Sequence, residues 1–400
     1  MLRPDSLAFT LLLSFLMSFG PLSIDLFLPS MPEIGRALGA PAAQLQLTIS
    51  LYLVAFAIGQ VIYGPISDRV GRVPVLLVAF AIFCVASVLC WFAPNMEALV
   101  TGRVLQGLGA SAAPVVVRAI VRDLHEGVHA GRQLSLMMTF TGLMPIAAPL
   151  LGGALLTFFG WRSGFVFQFA AGALAFFMVY RCVVRMRPPA ASTLPVLIGQ
   201  YRVIATSPIF LANLSIGCFA YTGMFAWIAG SPFVLQNLQG LSPFQFSICY
   251  AGSCAGFMVG GAIATRLVMR LGLDRTAGIG TAILTFAGIG MIACTALGLW
   301  MPLTLTVSMA LYLCGLAFVH AQVTAAGLTP FPKSAGVASA LIGFSQQSGG
   351  AIMGAVVGNL LGATAWPMAI GVAAAGGGSL LAWALTRGIR TAAAKPASAG

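Results

Sequence analysis

Gly64-Pro65-Ile66-Ser67-Asp68-Arg69-Val70-Gly71-Arg72 places three charges and two glycines within nine residues. Long apolar runs flank it, at residues 45–65 and 75–93. Only 7% of the 400 residues are charged, so such a cluster stands out from its surroundings. It reads as a tight, charged turn joining two hydrophobic helices. That reading decides the fold class, because two long apolar helices joined in this way belong in a bilayer.

The composition agrees. The chain is 59% hydrophobic, whereas soluble domains are about 45–50% apolar and about 25% charged. The formal net charge of +12 raises the question of nucleic acid. However, the cations fall in short clusters between apolar spans and never form a stripe interleaved with aromatics, so no nucleic-acid partner is expected. Eight cysteines are present. Cys84, Cys90, Cys218, Cys249, Cys254, Cys294 and Cys314 lie within or beside apolar runs, and Cys182 lies at the edge of one. They read as free thiols acting as small hydrophobes. No spacing of His and Cys suggests a metal site. The apolar stretch within Met1–Leu28 is longer than a signal h-region and lacks a small-residue cleavage site, so it reads as a retained first helix.

A span requires roughly 20 apolar residues. Punctuation by Pro, Gly and charge gives twelve, at 7–28, 45–65, 75–93, 98–117, 133–158, 163–181, 207–230, 244–264, 275–298, 303–325, 335–358 and 366–386. With the N-terminus placed inside, seventeen of the twenty Lys and Arg residues fall on inner segments. The positive-inside rule therefore puts both termini in the cytoplasm. The Pro- and Ala-rich stretch 185–206 reads as a cytoplasmic linker. It separates an N-terminal six-helix bundle, 1–184, from a C-terminal one, 207–390, followed by a flexible tail, 391–400. The halves echo each other. Gly64-x-x-x-Asp68-Arg69 is matched by Gly261-x-x-x-Thr265-Arg266, 197 residues later, and Trp161 opens the sixth span as Trp366 opens the twelfth.

The opening turn resembles the G-x-x-x-D-R-x-G-R-[RK] loop of the major facilitator superfamily, with Asp68, Arg69, Gly71 and Arg72 intact and Val73 in the last, basic position. Arg103-Val-Leu-Gln106-Gly107-Leu-Gly109 is similar to the R-x-x-Q-G-x-G motif of the fourth helix. Pro149-Leu-Leu-Gly152-Gly153 resembles the G-P-x-x-G-G signature of drug antiporters, with Ala148 in place of the first glycine. Asp25-Leu-Phe-Leu-Pro-Ser-Met-Pro32, Ser231-Pro-Phe-Val with Leu241-Ser-Pro243, and Pro330-Phe-Pro-Lys-Ser-Ala-Gly336-Val-Ala-Ser339 narrow the likeness to the bicyclomycin/chloramphenicol-resistance (Bcr/CflA) type of drug:proton antiporter. His320-Ala-Gln322 departs from the Pro-Asn pair of that type, and the usual substrate preference does not transfer with it. The resemblance covers almost the whole chain. It implies an all-α integral membrane protein of twelve transmembrane helices in two pseudo-symmetric six-helix bundles, the two parallel repeats of that fold.

Asp25 is the single acidic residue placed inside a span. An ionised carboxylate is costly in hydrocarbon, so an intramembrane Asp that takes up a proton is the group a proton-coupled carrier requires. The alternative is an interfacial Asp capping the loop before Pro29. Arg103 lies at a similar depth in the fourth span. Either it pairs with Asp25 and is released by protonation, or it ties its helix to a neighbour through backbone carbonyls. In the opening turn, Gly64 permits close approach of a helix, and Asp68 suits the positive end of the eleventh helix. Arg69 and Arg72 then pair with Asp123, latching the cytoplasmic side; simple topological anchoring is the alternative. Gly142, Pro145, Pro149, Gly152 and Gly153 bend the fifth span and let it pack closely, as a rocking interface requires. Candidates for a mostly apolar cavity are Gln60, Gln106, Met137, Met138, Asn213, Tyr221, Phe225, Trp227, His320, Gln322 and Gln346. Trp227 and Tyr221 also suit an interfacial belt.

These readings converge on a proton-coupled exporter of small amphipathic or apolar, drug-like compounds in the bacterial inner membrane. It would act as a monomer by alternating access. Protons serve as the coupling ion, no other cofactor is expected, and no Walker-type phosphate loop is present. An uptake carrier of the same fold is the nearest rival. A membrane-embedded lipid-modifying enzyme is the rival of another class, and it lacks the clustered acids and histidines such chemistry requires.

Overall fold

Helices, whose backbone groups pair within the segment itself, are what a bilayer demands of such a sequence. The computed structural model describes residues 6–124, 127–183, 194–298, 301–331, 334–362 and 364–394, and every regular element among them is helical. They are Leu7–Met17 (α1), Phe19–Asp25 (α2), a 3-10 turn at Leu28–Ser30, Met31–Leu38 (α3), Ala42–Val70 (α4), Arg72–Trp91 (α5), Met96–Leu124 (α6), Gly127–Gly142 (α7), Met144–Phe159 (α8) and Ser163–Cys182 (α9). Leu194–Ala205 (α10), Pro208–Pro232 (α11), Pro243–Leu297 (α12), Met301–Leu328 (α13), Ala335–Leu360 (α14), Trp366–Leu385 (α15) and Arg387–Ala394 (α16) complete the chain order.

Among the described residues, nine helices are long and apolar enough to cross a membrane, or ten if the bent pair Leu7–Met17 and Phe19–Leu38 is one span. Two features account for the difference from the twelve expected. First, α12 runs through 55 residues. At about 1.5 Å per residue that is far longer than a hydrocarbon layer of about 30 Å. It holds both the eighth and ninth expected spans, and Gly272 (φ 77°, ψ 174°) breaks it between them. The expected gap at 265–274 therefore shrinks to one glycine. Second, α14 covers the eleventh span, but Ser345, Gln346, Gln347 and Ser348 lower its hydropathy.

The first span bends by 47°. Ser14 and Ser18 donate to the carbonyls of Thr10 and Ser14, both at 2.7 Å, a local bond that bends helices. Pro21 then removes the N–H due to the Met17 carbonyl. The expected fifth span is likewise two helices, α7 and α8, broken at Leu143 ahead of Pro145.

The chain divides into two compact units, Met1–Ser192 with Leu241–Ala251, and Thr193–Gly240 with Gly252–Gly400. The first eleven residues of the α12 region thus cluster with the first unit. Of the expected linker, residues 185–193 lie outside the described residues, and 194–205 form α10. Residues 391–394 of the expected tail complete α16, and 395–400 lie outside the described residues. All eight cysteines are free thiols.

In the first unit α6 packs against α4 and α5, with α9 on α5. In the second, α11 packs against α13, α14 and α15. Small residues set these distances, as in membrane helices generally. A Cβ on Gly107 would overlap the Tyr52 carbonyl, and one on Gly109 would lie 2.7 Å from the Ala79 carbonyl oxygen. Gly64, by contrast, would meet only Val115, at an ordinary 3.6 Å. The close approach expected at Gly64 falls instead on the glycines of the fourth-span motif.

Candidate functional site

Asp25 ends α2 and is 5% exposed. Its Oδ1 accepts a hydrogen bond from the hydroxyl of Tyr250, also in the first unit, at 3.1 Å. The chain leaves Asp25 through Leu26 and Phe27 into the 3-10 turn, where Pro29 and Pro32 limit regular helix. α8 backs this exit. A Cβ on Gly152 would overlap the Leu26 carbonyl, so the helix-five glycine lets one backbone lie directly against the chain that carries Asp25.

Arg103 is fully buried in α6. Its guanidinium carbon lies 4.6 Å from the Phe27 ring centre and 4.5 Å from that of Tyr52. Such desolvated cation–π contacts contribute about 2 kcal/mol each. Nη1 donates to the Ser23 carbonyl at 3.1 Å and to Gln106 Oε1 at 3.0 Å. Arg103 and Asp25 form no ion pair. The contacts seen are those of the second reading above, a charge tied to the backbone of the neighbouring helix two residues before Asp25. Among the described residues, Nε and Nη2 have no hydrogen-bond partner.

Gln106, a cavity candidate by sequence, has its amide consumed inside the unit. Nε2 donates to Ser87 Oγ and Gln168 Oε1, both at 2.8 Å, and Oε1 accepts from Arg103. Gln60 and Met137 are buried, while Met138 is exposed.

At the opening turn, Gly71 adopts φ 104° and ψ 155° and separates α4 from α5. Arg72, buried, donates from Nε to Asp123 Oδ2 at 3.0 Å, from Nη1 to Ser67 Oγ at 2.6 Å, and to Asp68. Arg69 is exposed, so the link to Asp123 belongs to Arg72. In α8, Pro145 occupies the first turn and Pro149 lies inside the helix. Gly153 faces the start of α12, where a Cβ would collide with Ser247 and lie 3.1 Å from the Pro243 carbonyl oxygen.

The second unit holds the remaining polar candidates. His320 stacks on Tyr221 at 5.8 Å between ring centres and meets Gln346 at 3.4 Å through Nδ1. Tyr221 in turn lies 5.5 Å from Phe225. Asn213 donates to the Ile209 carbonyl and, with Gln322, lines a cavity of about 440 Å³ that also reaches Asp274, Arg275, Trp383 and Arg390. Trp227 is buried. No group of three or more His, Cys, Asp or Glu residues suited to a metal ion occurs among the described residues.

Sequence reasoning missed Tyr250, Tyr52 and the Asp274–Arg390 pair. Nothing local marks them: Asp25 and Tyr250 are 225 positions apart, and Asp274 and Arg390 are 116 apart.

Comparison with known proteins fits this architecture. The sequence profile of the Major Facilitator Superfamily matches residues 7–354. An uncharacterized MFS-type transporter of Bacillus subtilis, YdgK, is 35% identical over 96% of both chains. Multidrug resistance protein D of Escherichia coli is 28% identical over 88% of this chain and 89% of its own. Among solved structures, a bacterial homolog of the human lysosomal transporter Spinster superposes with a TM-score of 0.74 at 17% identity, covering 98% of both chains.

Proposed function

We propose that this chain, which belongs to the major facilitator superfamily, is a proton-coupled exporter of small amphipathic or apolar compounds of the bicyclomycin/chloramphenicol-resistance type. Membership in that family makes it a multi-pass membrane transporter and not an enzyme. The finer reading places it in the bacterial inner membrane, with both termini cytoplasmic and the two six-helix halves alternating access. Its distant relation to a multidrug resistance protein supports export.

One observation carries the proton coupling: a carboxylate, Asp25, buried in a spanning bundle with no cation paired to it among the described residues, while the buried Arg103 is tied to the same helix at Ser23, two residues away. A lone buried carboxylate favours its neutral form when no charge compensates it. Arg103 still has free N–H groups that suit an ionised Asp25 or an acceptor on a substrate. Proton binding and substrate binding then compete for the same region, which is what exchange requires.

The test is a drug-susceptibility panel in an efflux-deficient host, with transport measured in everted vesicles across a pH series. Asp25→Asn is expected to lose proton-driven export by at least tenfold while still reaching the membrane. Export by Asp25→Asn with its full pH dependence would remove Asp25 as the coupling group. Energy-dependent accumulation by cells, in place of exclusion, would turn the reading into an uptake carrier.

A further inference from the structure

We propose that Tyr250 is the positioning residue through which the protonation state of Asp25 sets how firmly the start of α12 is held. This inference rests on the reading of Asp25 as the proton site. It goes further by naming the element on which the proton acts.

The residues Leu241–Ala251 belong to the first unit by contact, whereas α12 continues without interruption beyond Gly252 into the second. Covalent continuity therefore links Asp25's surroundings to the rest of α12. Among the described residues, two contacts of this segment bear on the site. One is steric: Gly153 of α8 lies against Ser247 and the Pro243 carbonyl, a fit that leaves no room for a side chain. It involves no ionisable group and is indifferent to pH. The other is the Tyr250 hydroxyl donating to Asp25 Oδ1 at 3.1 Å, with both residues buried.

That second contact depends on charge. A hydrogen bond to an ionised acceptor is roughly twice as strong as one between neutral groups. An ionised Asp25 thus grips the phenol, and a protonated one holds it less. The other titratable groups around Asp25 are Tyr52 of α4 and Arg103 of α6. α1, α8 and the 3-10 turn, which also pack on α2, carry none. Of these groups Tyr250 alone has its hydroxyl on the carboxylate and its backbone in α12. Phe246, one turn earlier and fully buried, packs 5.9 Å from the Tyr250 ring.

The experiment compares wild type, Asp25→Asn, Tyr250→Phe and the double variant in proteoliposomes over a pH series. Tyr250→Phe keeps the ring and removes the hydroxyl that donates to Asp25. Its transport profile is expected to move to higher pH by about one unit, since the lost bond favoured the ionised carboxylate. The double variant is expected to match Asp25→Asn alone. A second readout is independent of transport. Hydrogen exchange of the amides at 244–251, corrected for intrinsic rate, is expected to quicken at least threefold in wild type as pH falls through its transport midpoint. In Tyr250→Phe it is expected to be fast throughout. An unmoved profile and unchanged exchange in Tyr250→Phe, beside an Asp25→Asn protein that has lost its pH dependence, overturn the role of Tyr250 and leave the proton site standing. Full pH dependence in Asp25→Asn overturns the proton site and this inference together.

Discussion

In one unit the chain turns between α4 and α5 at Gly71, with φ 104° and ψ 155°; in the other, α12 turns at Gly272, with φ 77° and ψ 174°. The two glycines lie 201 positions apart and share a region of backbone space that is essentially restricted to glycine. Each turn is followed by a clamp between a buried arginine and a partly exposed aspartate, but the signs are exchanged. At the first, Arg72 sits on the turn and reaches Asp123 at the end of α6. At the second, Asp274 sits on the turn and accepts from Arg390 of α16 at 2.7 Å. Arg390 also donates to the Trp383 carbonyl at 2.7 Å and to Thr386, and the Trp383 indole donates to the Asp274 carbonyl at 3.3 Å. A clamp of this kind needs one charge of each sign and does not care which stretch of chain supplies which. The two units therefore share a backbone break and a pairing rule, while the residues themselves differ.

The largest expected effect separates the two clamps. Arg72 is 4% exposed and holds two carboxylates and a hydroxyl, with Asp123 27% exposed. Removing it in Arg72→Ala strands those groups and is expected to lower stability by about 2–3 kcal/mol, below the full range for a wholly buried pair. Transport should fall at least tenfold. Arg390→Ala leaves the Trp383 carbonyl and the Thr386 hydroxyl without it and strands one carboxylate in place of two, itself 42% exposed, so about 1–2 kcal/mol is expected. Thermal unfolding in one detergent measures both. An equal or larger loss for Arg390→Ala would break the ranking.

The comparison also shows what the sequence makes legible. Apolar runs, punctuation and the Asp68–Arg72 core are local signals, and they lead to the helical membrane fold. The echo in the second half, Gly261-x-x-x-Thr265-Arg266, is a local match too, but Gly261 faces open space and Arg266 is exposed. The structural counterpart of the Gly71 turn is Gly272, and the second unit carries a clamp of its own where the degenerate echo suggests only a weakened latch. Sequence reading misses it because its partners are joined by folding and not by spacing. The same holds for Tyr250 at Asp25. Arg103 and Gln106 stand out by motif, yet the motif cannot say that Gln106 is spent on Ser87 and Gln168.

A sign exchange within the second unit sharpens the pairing rule. Asp274→Arg and Arg390→Asp are each expected to destabilise by about 1–2 kcal/mol, and together to regain about half of the summed loss. Recovery stays partial because an aspartate at 390 cannot donate to the Trp383 carbonyl. The same exchange of Arg72 and Asp123 should recover nothing. Arg72 also serves Asp68, and two facing carboxylates would then repel. A full recovery in the first unit would show that Asp68 is a bystander.

The smallest effect concerns the glycines. Both turns require a conformation that side chains avoid, so Gly71→Ala and Gly272→Ala share a strain of about 1 kcal/mol or more. Their surroundings differ. Gly71 is buried and directly precedes Arg72, so a shifted backbone drags the clamp with it. Gly272 is exposed, with nothing within 4 Å of an added Cβ, and its turn has room to relax. The loss at Gly71 is expected to exceed that at Gly272 by about 1 kcal/mol, the worth of an ordinary hydrogen bond. Repeating both substitutions over Arg72→Ala and Arg390→Ala identifies the source. If the excess at Gly71 vanishes once Arg72 is gone, it came from the clamp; if it persists, the buried backbone carries it and the two turns differ in packing alone.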